Sequence, residues 1–511
     1  MTVNHYKNTN NQRIISNTFY LYIRSILIIF ISLASSRIVL KNLGVTDFGL
    51  YNVVGGVVLM FSFLNNALTA AVQRFISFEL GRNNLEQLKK VFSLSVTVHF
   101  LLALLIIVVA ETIGYWFFSH YLNIPEERYN AALVVYNTAI FAFFFSVIQV
   151  PYTACIVAHE NMKYYAFVQV SDILLKLLAV IALGFLNGDR LIYYGFFLLF
   201  VSICTFLFYS VYSLTKFDEC KFSFLWDKKL FKDIMGFSTW SLFGGLASVA
   251  SSQGVNIILN IFFGAIVNAA RGIAFQVNSA VTSLYSSFSQ AVNPQIVKQY
   301  SAKNYDYVAS LAYSSSKMIY FLVLFFALPV MVETEYIIGL WLGQLPQHVV
   351  GFCRLVLIST LIDCFSMPFV QVVQAMGKIQ KYQLLIGSTL LLDLPLSVIA
   401  IKTTGEPESC FYVHILIVMA TSYIRARMSS VILERSFRDF LKNVLLRLFL
   451  VTIACLVVFI IPVLFEVSFL RFMITCFSCC IITTASVFFI GMNDTEKIMC
   501  LSKIKTIISK Q

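Results

Sequence analysis

Charge is what this sequence has least of. Asp, Glu, Lys and Arg make up 12% of its 511 residues, about half the share of an ordinary soluble domain, so there is little from which to build a water-facing surface. Linkers are missing as well: no Pro-, Ser- or Gly-rich tract interrupts the chain, which excludes several soluble cores joined by tethers. Catalytic signatures are equally scarce. No Walker-type glycine loop, HExxH pair, GxSxG elbow or dinucleotide fingerprint occurs, so no catalytic residue and no cofactor is expected, and ATP-driven transport by this chain alone is disfavoured. The longest polar stretch, near Thr215 to Lys232, mixes both charges with Trp226 and is too short for a soluble catalytic domain. The 11 Cys are scattered through apolar segments. Their densest group, Cys476, Cys479 and Cys480, has no second cluster or His near it in sequence, whereas a structural zinc site needs four ligands; no metal is expected.

What is present is apolar. Hydrophobic residues reach 59% and the mean hydropathy is +0.82, with 49 Phe and 25 Tyr, a load suited to lipid-facing surfaces and interfacial belts. A bilayer core takes about 20 apolar residues per helix, and that ruler predicts an all-α polytopic membrane protein of about fourteen transmembrane helices. The first six spans run near Thr18 to Val39, Leu50 to Ala71, Ser93 to Phe117, Ala131 to Val157, Ala166 to Leu186 and Leu191 to Leu214. The next six run near Phe237 to Phe262, Ala265 to Gln290, Ser315 to Val332, Val350 to Gln374, Leu384 to Ile401 and Cys410 to Tyr423, and a last pair near Val444 to Phe465 and Phe469 to Ile490.

The net charge of +12 informs through its placement. With the N-terminus cytoplasmic, most basic residues fall on the inner side, including a basic loop from Arg425 to Arg447. The exterior keeps only Arg37, Lys41, Arg128, Arg190, Lys402 and Arg471, beside Glu126, Glu127, Glu333, Glu335, Glu406 and Glu408. This is the positive-inside asymmetry, and it places both termini in the cytoplasm; nucleic acid is not an expected partner. Ser32-Leu33-Ala34 resembles a signal-peptide cleavage site, but Arg24 interrupts the apolar run and cleavage would leave the wrong parity of spans.

The chain also repeats. A shift of 220 residues brings Leu43-Gly44-Val45 onto Phe263-Gly264-Ala265, Ala71-Val72 onto Ala291-Val292, Ile76 onto Ile296, Asn84 onto Asn304 and Glu86 onto Asp306. A shift of 217 brings Pro151 onto Pro368 and Ala158 onto Ala375. Six spans separate the copies, an even number, so they are expected as parallel repeats enclosing a central cavity. The expected organisation is an N-lobe (1–214), an inter-lobe linker (215–236), a C-lobe (237–430), and a C-terminal helix pair with a basic tail (431–511).

Ionisable groups inside spans are costly, so each is a functional hypothesis. Arg24, Arg271 and Arg354 matter most, because guanidinium stays charged under burial and offers forked donors that suit phosphate. A cationic cavity implies an anionic cargo; carbonyl capping or snorkelling is the alternative for each arginine. Asp172 and Lys176 stand at i,i+4, placed for a local ion pair or for a cavity. Asp363 and Asp393 have no basic residue one turn away and are candidates for coupling an ion, against a carboxyl kept neutral or hydrogen-bonded to a neighbour. Pro395 predicts a kink beside Asp393. Lys317 and Glu111 lie near span ends, where snorkelling accounts for them.

LGVTDFGLY (Leu43 to Tyr51), AHENMKYYAF (Ala158 to Phe167), NAARGIAFQV (Asn268 to Val277) and NPQIVKQYSAKN (Asn293 to Asn304) resemble segments of bacterial polysaccharide flippases, within the multidrug, oligosaccharidyl-lipid and polysaccharide exporter superfamily. The resemblance implies two six-helix lobes plus a terminal pair in the inner membrane. It also implies an undecaprenyl-diphosphate-linked oligosaccharide as cargo for O-antigen or capsule assembly, with membrane lipids and polysaccharide assembly proteins as further partners. Related flippases place cavity arginines in the first and eighth helices, where Arg24 and Arg271 stand. Two alternatives remain: a multidrug and toxin extruder of the same superfamily, and a membrane-embedded glycan polymerase or ligase.

Overall fold

A computed structural model describes residues 16–498 apart from 29, 32–34, 36–37, 40–41, 44–46, 48–49, 52–61, 122–123, 222, 224–226, 343–346 and 495. Most of Leu43 to Tyr51, the Ser32 to Ala34 stretch, Arg37, Lys41 and the end of the basic tail lie outside the described residues. Those described are helical, with no strand among them. In chain order the helices are α1 (16–28), α2 (Ser62–Gly81), α3 (Leu85–Gly114), α4 (Glu126–Ala158), α5 (Met162–Leu183), α6 (Arg190–Lys216), α7 (Lys228–Gly264) and α8 (265–301). There follow α9 (Tyr305–Val332), the bent pair α10 (Val349–Cys364 with Met367–Met376), α11 (Gln380–Thr404), α12 (Ser409–Ile432), α13 (Phe437–Leu464) and α14 (Phe469–Gly491).

Ten of these are long and apolar enough to cross a membrane, and the α10 pair, bent by 40°, makes an eleventh. The chain is thus a multi-pass membrane protein, and the difference from fourteen has a physical cause. The first two expected spans run over undescribed residues, and α8 is rich in Ser, Asn and Gln and less apolar than the other helices. That α7 and α8 are separate helices follows from a side-chain contact. Arg271 hydrogen-bonds the Ser252 carbonyl at 2.9 Å, yet nineteen residues of straight helix would set them roughly 28 Å apart at 1.5 Å per residue. The chain folds back at Gly264, whose φ of 79° is open to glycine and strained for other residues.

Contacts group the chain into two compact units, Met1–Gly245 with Gln290–Lys303, and Leu246–Ser289 with Asn304–Gln511. The sequence repeat reappears as repeated local geometry. Asn84 and Asn304 both cap helix N-termini, accepting from the Gln87 and Tyr307 amides at 3.1 and 3.4 Å; each satisfies an amide that the first helical turn leaves free. Asn83 and Lys303 precede them with φ of 53° and 60°. Pro151 and Pro368 each open the second segment of a broken helix, where a missing N–H costs nothing. The same shift of 217 pairs Glu160 with Gly377, at φ of 61° and 84°.

Packing differs along the chain. In α9, 56% of the most apolar stretch is buried against the rest of the protein, against 22% in α14. Phe477, Phe489, Phe449 and Val463 point outward with most of their surface exposed. Leaving such side chains in water would forfeit about 1.5–3 kcal/mol each, so these faces are lipid surfaces. In the first unit α2 ends in close contact with the end of α8: a Cβ on Gly81 would sit 2.3 Å from the Lys298 carbonyl oxygen, so only glycine fits. Glu333 and Arg471, expected in exterior loops, are instead a buried pair in the second unit. The guanidinium donates to Glu333 Oε2 at 2.7 Å and Thr475 donates to Oε1 at 2.7 Å. Lys317 does not snorkel either; it is buried and meets Glu496 at 2.6 Å.

Candidate functional site

Five helices of the second unit turn polar faces toward one cavity of about 350 Å³. Helical spacing decides which residues face it. On α12 the lining residues are Cys410 and then Phe411, His414, Val418, Thr421 and Arg425, and on α8 Arg271, Phe275, Asn278, Thr282 and Tyr285; from Phe411 and from Arg271 onward, steps of three and four keep each set on one stripe. Ser248, Ser251, Ser252 and Val255 of α7 complete one wall, with Val356, Ser359, Thr360 and Asp363 of α10 and Leu390 and Asp393 of α11.

Two charged clusters stand in this cavity. In one, Asp393 has no exposed surface; its Oδ2 accepts from Ser251 at 2.8 Å and lies 2.8 Å from His414 Nδ1, while Ser397 donates to Oδ1 at 3.4 Å. Helix α11 is interrupted at Leu392, at the kink Pro395 predicts. Arg271, 7% exposed, lies 4.1 Å from the Phe275 ring centroid and donates to the Asn256 side chain at 3.3 Å as well as to the Ser252 carbonyl. Its Nε has no hydrogen-bond partner. In the other cluster Arg425 donates to Asp363 at 2.5 Å and to Ser366 at 2.8 Å. Between them Thr360 donates to Asn278 at 2.6 Å.

Asp363 and Asp393 are therefore not lone carboxylates. A carboxylate without a basic neighbour on its own helix finds one on the next, and only packing shows that. Arg425 was expected at the start of an inner basic loop; it lies in α12, which runs on to Ile432, with 11% of its side chain exposed. His414 and Arg425, the lining residues that partner the two carboxylates, were missed by sequence reasoning. The stripe from Phe411 to Arg425 was the signal, hidden because the span was ended at Tyr423.

The remaining expected residues lie elsewhere. Arg24, in the first unit, donates to Gln169 at 2.8 Å, to Gln290 at 3.4 Å and to Ser25 at 3.2 Å, with the Tyr165 ring centroid at 5.7 Å. Asp172 and Lys176 form the i,i+4 pair at 2.7 Å, with Thr205 on the second carboxylate oxygen at 3.4 Å. Arg354 shares the second unit with the cavity but does not line it; its Nε donates to the Met331 carbonyl at 3.0 Å, one of the carbonyls that the end of α9 leaves free.

The cavity thus holds a guanidinium without a carboxylate on it, and beside it a hydrogen-bonded Asp393–His414 pair. A model of the family described as polysaccharide biosynthesis protein matches residues 14–300, more than half of the chain. No curated protein matches it. Among solved structures, the outward-facing conformation of a multidrug resistance MATE family transporter of the MOP superfamily is 14% identical, with a TM-score of 0.73 over 83% of this chain and 96% of that one. A MATE protein in its straight conformation is 15% identical, with a TM-score of 0.72 over 83% and 96%. A MOP superfamily transporter from Pyrococcus furiosus, whose binding pocket is described as of reverse polarity, is 14% identical, with a TM-score of 0.69 over 82% and 96%. The family resemblance read from the motifs is borne out: the chain belongs to the polysaccharide biosynthesis protein family and has the MATE fold.

Proposed function

We propose that this protein is a flippase that carries an undecaprenyl-diphosphate-linked oligosaccharide from the cytoplasmic to the periplasmic leaflet of a bacterial inner membrane by alternating access, for O-antigen or capsule assembly. Arg271 is the observation that carries the reading. A guanidinium in a membrane-spanning bundle is retained at a cost of several kcal/mol, and this one meets a carbonyl and an amide where a carboxylate would have neutralised it. It stays free to take a diphosphate, which a forked donor suits. Family membership supports the polysaccharide setting. Arg24, in the first helix, is a second candidate contact for the diphosphate, and the Asp393–His414 pair is the candidate for coupling transport to an ion gradient. Both termini are cytoplasmic in this reading.

Replacing Arg271 or Arg24 by Gln removes charge-assisted hydrogen bonds worth about 1.5–3 kcal/mol, so transport should fall roughly 10- to 100-fold. Surface polysaccharide, measured by gel or phage sensitivity, should collapse while immunoblots show unchanged protein in the membrane. Normal polysaccharide in the double variant would overturn the reading.

Asp363 and Asp393 favour a second reading, a cation extruder of the same superfamily. Deletion would then sensitise cells to cationic drugs and leave surface sugar intact.

A further inference from the structure

A second cluster, in the first unit and unrelated to the cavity, brings four metal-binding side chains together. Cys155 lies in the last turn of α4 and His159 one turn further on. Glu219 and Cys220 form the tight turn that follows α6. Sixty-odd residues separate the two pairs, yet Cys155 Sγ is 3.3 Å from Cys220 Sγ and 3.8 Å from Glu219 Oε1, and His159 Nε2 hydrogen-bonds that same oxygen. One donor atom each from Cys155, His159 and Glu219 falls within 4.8 Å of the other two. Both thiols are fully buried and Glu219 is 4% exposed. The imidazole is stacked on Phe217, centroids 4.1 Å apart and planes 13° apart, so its Nε2 is aimed before any ligand arrives.

We infer that Cys155, His159, Glu219 and Cys220 form a zinc site. Two soft thiolates with an imidazole and a carboxylate suit a borderline ion and not Ca²⁺ or Mg²⁺. Tetrahedral zinc with Zn–S bonds of about 2.3 Å holds two thiolates about 3.8 Å apart, and the two sulfurs stand within roughly half an ångström of that spacing. As a hydrogen-bonded cluster alone the arrangement is poor, since two thiols face each other as weak donors beside a buried carboxylate. With all four positions filled by protein the ion is a structural clip and leaves no open position for chemistry. It ties the end of α4 to the turn from which the chain leads into α7. The neighbouring Glu160 already ties the same corner to α8, accepting from Lys298 and Gln295 at 2.5 Å each. A spacing of 65 residues between the cysteines matches no short zinc signature, which is why the sequence did not disclose the site.

The full-length protein, purified in detergent under reducing conditions, is titrated with Zn²⁺ against a chromophoric chelator and separately with Co²⁺. The wild type should bind a single equivalent of zinc tightly and give a thiolate-to-cobalt charge-transfer band with tetrahedral d–d absorption. Cys220→Ser should roughly halve that band, His159→Gln should weaken zinc binding at least about tenfold, and Cys479→Ser should change neither. As a check independent of any variant, the wild type is alkylated at a denaturant concentration that exposes both thiols in the zinc-free protein, and zinc should protect Cys155 and Cys220 there, read by peptide mass spectrometry. The proposal is overturned if the reduced wild type takes up no zinc, if zinc leaves those thiols reactive, or if alkylation of intact cells shows Cys155 and Cys220 oxidised to each other.

Discussion

The corner after α4 in the first unit and the corresponding corner after α10 in the second share a backbone and almost nothing else. Both follow a helix broken ahead of a proline, and both turn on a residue at positive φ. In the second unit that residue is Gly377, which takes the conformation without strain. In the first it is Glu160, which accepts a left-handed backbone costing about 1–2 kcal/mol and places a buried carboxylate on Lys298 and Gln295. The difference teaches that the repeat conserves where the chain bends, while each unit assigns its own chemistry to the bend. Buried ion pairs follow the same rule: the second unit sets Glu333–Arg471 just past the end of α9, and polar walls enclose the cavity there.

The comparison can be broken at three places, taken from the largest effect to the smallest. Arg471→Met strands the fully buried Glu333 and should destabilise the protein by about 3–5 kcal/mol, seen as a lower melting temperature in micelles; adding Glu333→Leu should recover part of it. If the double variant is as weak as the single one, the pair is not what holds that junction. Glu160→Gly tests whether the first corner prefers backbone ease or the ion pair. Losing Lys298 and Gln295 outweighs the relieved strain, so a net loss of about 1–3 kcal/mol is expected, and a gain in stability would reverse the account. Gly377→Ala imposes on the second corner the strain the first one carries, with nothing in return. Its cost should be about 1–2 kcal/mol; an unchanged melting temperature would show the turn relaxing out of the left-handed region.

Much of the fold was legible from residues alone. Apolar runs of bilayer length, the repeat that pairs Asn84 with Asn304 and Pro151 with Pro368, and the kink at Pro395 are local features, and each sits where its own chemistry puts it. The site was only partly legible. Arg271, Asp363 and Asp393 were identified as ionisable groups in apolar helices, but their partners Asn256, Arg425 and His414 were not. Those partners lie on other turns or other helices, and hydropathy carries no information about which faces meet.

The sequence by itself determined that this chain is helical and lives in a membrane, because both follow from transfer energies and local backbone preference summed along the chain. Tertiary structure alone decided that Asp363 faces Arg425, that Asp393 is closed in by Ser251 and His414, and that Cys155 meets Cys220. Contacts of that kind depend on which stripe of one helix packs against which stripe of another, a choice made by side-chain fit in three dimensions.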